Sequence, residues 1–246
     1  MDRMIWTAVT GMNAAMTRQR VVASNMANAQ TTGFRAEVLQ MTPMTLKGSA
    51  VEARAMTDAA VKGAMMTPGV MVNSGRPLDV AMQGQALLTV QAPDGTEAYT
   101  RRGDLSVSTN GLLVNGEGFA VMGEDGPITL PPGGDYSIAE DGAVLRRDPA
   151  ATNAPPAVVA RLKLASPVGS RIGKGLDGLF RVIGGGVLPG DAEARLAPAT
   201  LEQSNVRPSE VLVEMVEAQR LYDMRAKLIA TAKDLDEGSA SLMRLG

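Results

Sequence analysis

The stretch that most constrains this chain is its last, Leu201 to Leu242. There Leu201-Glu202-Gln203-Ser204-Asn205-Val206 leads through Arg207-Pro208 into one long amphipathic pattern. Val211, Met215, Ala218 and Tyr222 fall at spacings of four, three and four, and Leu221, Leu228, Ile229, Ala232, Leu235 and Leu242 continue the apolar seam. Pro208 suits a first helical turn, where a missing N–H costs nothing. Glu210 complements the positive end of the helix dipole and Arg244 the negative end. Some 35 residues at about 1.5 Å each make a rod of roughly 50 Å. A helix of that length calls for another helix to lie against.

The N-terminus supplies one. Ile5, Ala8, Met12, Ala15, Gln19, Val22, Met26 and Ala29 alternate spacings of three and four, a heptad seam with one polar member. The seam is narrow and made of small or pliable residues, which permit close approach and more than one neighbour. It is expected to end in Asn25-Met26-Ala27-Asn28-Ala29-Gln30-Thr31-Thr32-Gly33, where cap-forming residues meet a glycine. Pairing of the two helices inside one globule would leave little enclosed core, because both seams are thin. A stalk of the two terminal helices is expected instead, with sister copies covering the rest.

Composition narrows function. The 246 residues are 45% apolar with a net charge of −2, which argues against disorder and against nucleic acid or an anionic membrane surface as the main partner. There is no histidine and no cysteine, so Ser-His and Cys-His nucleophile pairs, thiolate zinc sites and disulfides are excluded together. Met1-Asp2-Arg3-Met4-Ile5-Trp6-Thr7 offers no uninterrupted apolar core, so a conventional cleavable signal peptide is not expected. No apolar run reaches the length of a membrane span, and no membrane insertion is expected.

Between the helices the code changes twice. Residues 35–75 read as a connector, extended or partly ordered, with helical fragments as an option around Val51 to Ala60 and breaks at Gly63, Pro68, Gly69 and Gly75. From Pro77 short strands follow one another: 78–82, 86–91, 97–101, 105–109, 112–115, 119–122, 128–130, 136–139, 143–146, 158–164, 179–183 and 194–201. Asp94-Gly95, Asn110-Gly111, Asn115-Gly116, Asp125-Gly126 and Asp141-Gly142 are hairpin corners that accept positive φ. Leu105, Val107 and Thr109 are expected on one face and Ser106 and Ser108 on the other. The fold class is therefore α+β: terminal helices 1–34 and 201–246 pair as a coiled-coil-like stalk, carrying the connector and an inserted antiparallel β-rich domain, 76–200.

Several features imitate chemistry. Gly184-Gly185-Gly186 and Gly173-Lys174-Gly175 lack the flanking residues of a phosphate loop and read as turns. Glu124-Asp125 and Glu140-Asp141 could do acid–base work in a glycosidase, but each directly precedes a turn glycine and reads as a solvated corner. Arg101-Arg102 and Arg146-Arg147 read as solvated strand ends or subunit contacts. The methionines sit at seam positions and in the connector, which points to packing rather than metal ligation. No catalytic, cofactor or metal residue is expected. A carbohydrate-active or cell-wall-binding β-domain on a stalk would need an aromatic platform, and seven scattered aromatics do not make one.

Four motifs in order then resemble one family. Ser24-Asn25-Met26-Ala27-Asn28-Ala29-Gln30-Thr31-Thr32-Gly33-Phe34-Arg35 resembles the signature near the start of flagellar rod and hook proteins. Ser74-Gly75-Arg76-Pro77-Leu78-Asp79-Val80-Ala81-Met82-Gln83-Gly84 and Tyr99-Thr100-Arg101-Arg102-Gly103-Asp104-Leu105 are similar to the motifs that open its β-domain. Leu201 to Val206, with Glu214-Met215-Val216-Glu217-Ala218-Gln219-Arg220, resembles its C-terminal signature. Within the family the likeness is to proximal-rod subunits, with distal-rod and hook-like subunits as the alternatives. Met26, Ala199 and Arg207 depart from the usual leucine, glycine and asparagine. Arg207 is a poor N-cap, so Ser204, Asn205 or a neighbouring subunit is expected to cap the C-terminal helix.

The resemblance implies a structural subunit. Such chains are exported unfolded through the flagellar type III apparatus and assemble helically around a channel in the periplasm. The implied partners are copies of the chain itself, other rod proteins and the ring proteins around the rod. Ile5, Ala8, Met12, Ala15, Val22, Met26, Val211, Met215, Ala218, Tyr222 and Ile229 are the expected assembly residues. The motif residues Asn25, Asn28, Gly33, Phe34, Pro77, Leu78, Asp79, Tyr99, Arg101, Gly103, Glu202, Ser204, Asn205, Gln219 and Arg220 are expected to shape the fold.

Overall fold

The computed structural model describes residues 2–45, 55–148 and 155–244, with side chains described for 8–42, 61, 63–148 and 155–234. The chain divides into two compact units. A helical unit takes the chain up to Ala27, Glu37–Lys62 and the chain from Arg207, and a β unit takes Asn28–Ala36 and Gly63–Val206.

In the helical unit α1 (Asp2–Ala27) pairs along its length with the C-terminal α-helix (Pro208–Arg244, α2). The pairing rests on small residues. Ala14, Ala15, Val21 and Val22 of α1 and Val211, Ala218 and Ala232 of α2 are buried, Ala15 and Ala218 completely. Close approach lets backbone join in: the Arg225 guanidinium donates to the Gly11 carbonyl, and a Cβ at Gly11 would lie 3.5 Å from it. Arg18 and Glu217 pair across the helices at 3.5 Å. β1 (Glu37–Thr45) and β2 (Ala55–Ala64) form a two-stranded ribbon. The expected helical fragments around Val51 to Ala60 are thus corrected to strand from Ala55 onward, residues 51–54 lying outside the described residues. Thr57, Val61 and the glycine at 63 favour an extended chain over a short, uncapped helix.

The β unit runs β3 (Met71–Asn73), β4 (Val80–Met82), β5 (Leu87–Gln91), β6 (Glu97–Thr100), β7 (Leu105–Val107), β8 (Leu113–Asn115), β9 (Ala120–Gly123) and β10 (Gly126–Pro127). It continues through β11 (Asp135–Ile138), β12 (Ala143–Arg147), β13 (Ala157–Arg161), β14 (Leu164–Ala165), β15 (Ile172–Lys174), β16 (Phe180–Val182), β17 (Leu196–Pro198) and β18 (Thr200–Glu202). Among the described residues the main sheet has the order β15-β16-β6-β5-β9-β8-β7, with β10 on β9 and β14 on β5. Every described pairing is antiparallel. β5 is buried on both faces, and the period of two sorts its side chains. Leu88 and Val90 join the main core with Val80, Leu105, Leu113, Val121, Val144 and Leu196, while Leu87 joins Tyr99, Phe180 and Leu188 on the other side.

Three local expectations change. Val107 is exposed, so β7 commits only Leu105 to the core. Residues 128–130 make one isolated antiparallel bridge, Thr129 with Leu112, and a further bond to Val121 instead of forming a strand. At the Asn115-Gly116 corner it is Gly118 that takes positive φ (87°). Gly116 is small for a different reason, since a Cβ there would lie 2.0 Å from Oδ2 of Asp104.

Near its end the β unit changes strand partners. β17 pairs with β4 and β18 with β3, and Ala199 makes the corner between them at φ +51°. An L-residue in the left-handed region costs about 1–2 kcal/mol, which glycine avoids at some expense in unfolded-chain entropy. Ala199→Gly is therefore expected to raise β-unit stability by about 0.5 kcal/mol in urea unfolding. Gly103 is the converse case: it is buried, lacks positive φ, and its Cβ would meet the Val80 carbonyl oxygen at 1.8 Å. Gly103→Ala should cost about 3 kcal/mol. A destabilising Ala199→Gly or a neutral Gly103→Ala would contradict this geometry.

Candidate functional site

Glu202, the last residue of β18, is 1% exposed, and its carboxylate lies between two equally buried guanidinium groups. Arg101, the residue after β6, approaches Oε2 through Nε at 2.9 Å and Nη2 at 2.7 Å. Its remaining N–H groups donate to the carbonyls of Met82 (2.8 Å), Gly84 (3.0 Å) and Ala86 (2.6 Å). A guanidinium offers five donors in a rigid fork, and four of them make hydrogen bonds here beside the Nη2 ion pair with Glu202. Arg35 approaches Oε1 at 2.6 Å and donates to the Thr67 carbonyl, and the Gly69 amide donates to Oε1 at 2.8 Å. Burial pushes the Arg35 side chain down to about 10, opposed by Glu202 and reinforced by Arg101. Arg101 is thus no solvated strand end. Its aliphatic stem, its fork and a ring of inward carbonyls make it the most fully coordinated cation among the described residues.

Backbone groups tie the same segments together. Gly33 N donates to Glu202 O at 2.7 Å, and Asn205 N donates to Phe34 O at 3.3 Å. The Asn205 side chain accepts from Ala36 N at 2.7 Å and donates to the carbonyls of Met65 and Thr67 at 2.8 and 2.9 Å. Gly33 adopts φ +68°, and a Cβ there would lie 2.4 Å from the Arg101 backbone. Lys174 donates to the Arg35 carbonyl and its ammonium lies 3.4 Å over the Phe34 ring. Asn205 therefore crosslinks three chain segments and does not cap α2. Ser204 Oγ accepts from Val206 N, and the helix opens on the Arg207 carbonyl, which receives Glu210 N and Val211 N at 3.1 Å. The Arg207 side chain meets Glu210 at 2.8 Å.

The third motif places its other residues close by in the chain. Arg102 grips Asp104 with two hydrogen bonds, at 2.8 and 3.0 Å, and reaches Glu117 at 3.2 Å. The Tyr99 hydroxyl donates to Glu97 at 2.8 Å and accepts from Leu188 N at 2.6 Å, fastening the loop that follows the three glycines. Asp79 is fully buried, 3.5 Å from Arg76, while Pro77 is exposed and Leu78 packs against the main core.

The remaining expected residues lie in the helical unit or at its edge. Asn25 is buried and bonds Glu37 through both ends of its amide, at 2.8 and 3.1 Å, which pins the chain just past α1. Asn28 accepts from the Thr31 hydroxyl at 3.0 Å within the turn that follows. Ala15, Val22, Val211 and Ala218 are buried and Ala8, Met12, Met26, Met215, Tyr222 and Ile229 half-buried, whereas the side chain of Ile5 lies outside the described residues. The buried stripe of α1 is broader than the seam read from spacing, since Ala14 and Val21 join it and Gln19 is exposed. On α2, Leu228 is 59% exposed and leaves the seam, with Arg225 taking the inward position. Gln219 and Arg220 are exposed. Among the described residues no group of three His, Cys, Asp or Glu side chains could hold a metal, and no helix is long and apolar enough to cross a membrane.

Comparison with known proteins gives this arrangement its context. Residues 5–35 match the flagella basal body rod protein family, 81–146 the flagellar hook protein FlgE/F/G D1 domain, and 197–242 the flagellar basal body rod FlgEFG protein C-terminal family. The chain is 39% identical over 247 residues to the flagellar basal-body rod protein FlgF of Salmonella typhimurium, covering 98% of both chains. It is 39% identical to FlgF of Escherichia coli, covering 95% of each. It is 31% identical to the flagellar basal-body rod protein FlgG of Buchnera aphidicola, covering 94% of this chain and 96% of that one. The chain belongs to the flagellar basal-body rod protein family.

In this rod protein the Arg–Glu–Arg cluster draws Gly33, Phe34, Arg101, Glu202 and Asn205, from three of the four motifs, into one place. Arg35 is part of the first motif, yet spacing alone gave it no role. The available signal was a basic residue directly behind Gly33-Phe34, with an acid early in the last motif. The phenol beside the cluster has a readable signature. Burial, with Glu97 adding to it and the Leu188 N–H opposing, pushes Tyr99 up to about 12. The folded state then binds more protons than the unfolded one between about pH 10 and 12, so stability falls as pH rises through that window. In an ultraviolet titration of the rod protein, one of the three tyrosines should ionise near pH 12, and Tyr99→Phe should remove that step. Absence of a step near pH 12 that Tyr99→Phe removes would contradict the buried placement.

Proposed function

We infer that this chain is a structural subunit of the flagellar rod. It stacks helically with copies of itself and with related rod proteins around the export channel, and it passes torque along the stack. The observation that supports this most directly is a second apolar ridge on α2. Leu212, Val216, Met224 and Leu228 recur at four-residue steps with Arg220 between them, and all four apolar members are about half exposed or more. Ridges of this spacing are what helices interdigitate when they pack. The seam of Val211, Met215, Ala218, Tyr222 and Ile229 meets α1 in the same chain, so α2 offers neighbours a face that α1 does not use. The sequence-derived seam residues then act in two steps: they pair the terminal helices, and the pair presents the ridge.

The identity to FlgF proteins, higher than to the FlgG protein compared, supports a FlgF-like place in the proximal rod. Export through the flagellar type III apparatus suits a chain free of cysteine, which no disulfide can trap while it is threaded. Contacts with the surrounding ring proteins belong to the same reading. It asks for packing and shape, with no reacting group.

The ridge supplies the test. Val216→Asp with Met224→Asp should leave the circular dichroism and melting of the isolated chain within about 0.5 kcal/mol of wild type, as expected for exposed positions. The same variant should fail to enter rods and leave cells non-motile. Normal rods and normal swimming would overturn the assignment. Ala218→Asp, placed in the buried seam, should instead disrupt the helix pair in the isolated chain.

A further inference from the structure

The buried cluster has a property that packing alone would not give it: its members come from three distant parts of the chain and depend on one another unequally. Arg101 is held by three carbonyls of the β unit as well as by Glu202. Arg35 has far less. Its Nη1 donates to the Thr67 carbonyl and its Nη2 faces Glu202 as an ion pair, while Nε and Nη2 are both buried without a hydrogen bond. Glu202 in turn is shared between both cations and the Gly69 amide. The segment around Arg35 directly follows α1 in the chain, and the segment around Glu202 directly precedes α2. The two segments also bond each other, through Gly33 N to Glu202 O, Asn205 N to Phe34 O and Ala36 N to the Asn205 side chain.

We propose that Arg35, Glu202 and Arg101 form a latch that holds the segments 33–36 and 200–205 on the β unit only as a pair. If the late segment is missing, Arg35 would be buried without its counter-charge, and burial of an uncompensated ion is strongly unfavourable. If the early segment is missing, Glu202 loses one of its cations and the backbone bond from Gly33, and Asn205 loses the one from Ala36. Because Glu202 is the last of the three in sequence, the latch cannot close until most of the chain is present. The use of such a device, setting both helix-leading segments at once in an assembling subunit, rests on the rod reading. The latch itself is a property of the single chain.

Amide hydrogen exchange on the full-length, unassembled protein tests it. Arg35→Met should accelerate exchange by at least about tenfold at residues 200–205 as well as at 33–36, while β5 keeps wild-type protection. Glu202→Gln should loosen the same two segments. Acceleration confined to 33–36 in Arg35→Met, with 200–205 unchanged, would overturn the latch. Should Arg35→Met disturb β5 too, Arg35→Lys, which keeps the charge and loses the fork, is read by the same criterion. Failure here would leave the rod reading untouched, since the measurement involves no assembly. A failure of the ridge variant to block rods would likewise leave the latch untouched.

Discussion

A carboxylate removed from water stands between two guanidinium groups, and much of the β unit's local design follows from the need to satisfy all three. The carbonyls of Met82, Gly84 and Ala86 turn toward Arg101, and the Gly69 amide and Thr67 carbonyl complete the surroundings of Glu202 and Arg35. Gly33 has no side chain because the Arg101 backbone occupies the space where one would be. Burying ions is expensive, and well-packed apolar residues of the same volume often give equal or greater stability. What the ions add is specificity. Only one arrangement of three chain segments leaves no charge alone, which suits a protein whose segments must converge from residues 35, 101 and 202.

The helical unit works by a contrasting principle. Its buried contacts come from Ala14, Ala15, Ala218 and Ala232, with Val21, Val22 and Val211, small side chains that let the helices approach closely but remove little apolar area each. A pair held this lightly keeps its outer residues available, and Val216, Met224 and Leu228 remain in solvent. Area that an isolated subunit leaves exposed can be covered when subunits repeat along a screw axis. The fold therefore separates two tasks: strong, directional interactions fix the β unit, and weak, extended ones leave the helices ready for neighbours.

Much of this was legible in the residues. The short runs between turn residues, the Asn-Gly and Asp-Gly corners and the seam spacings of both ends mark strands and helices within a few residues, because each is a local signal. What local signals could not carry was partnership across the chain. Arg101-Arg102 read as exposed since two adjacent arginines usually are, and nothing near them in sequence announces that Glu202 is the complement of Arg101. Ser204 and Asn205 look like helix caps by type, but Asn205 is drawn to Ala36 and the carbonyls of Met65 and Thr67 by tertiary contacts. Leu228 fits a seam by composition and leaves it by geometry, since the long Arg225 stem reaches the Gly11 carbonyl from the inward position. The early ribbon was missed for a related reason: its strands carry weak alternation and are recognisable chiefly from each other.

The account stands or falls on whether the buried ions act as a unit, and a double-mutant cycle on unfolding free energy measures that directly. Arg101→Met and Glu202→Met are each expected to cost roughly 3–5 kcal/mol, since the first strands one buried oxygen of Glu202 with three carbonyls and the second leaves two guanidinium groups without their carboxylate. The double variant should cost well short of their sum, with a coupling of about 2 kcal/mol or more. Losses that add to within about 0.5 kcal/mol would show two independent residues and contradict the cluster as the centre of the fold.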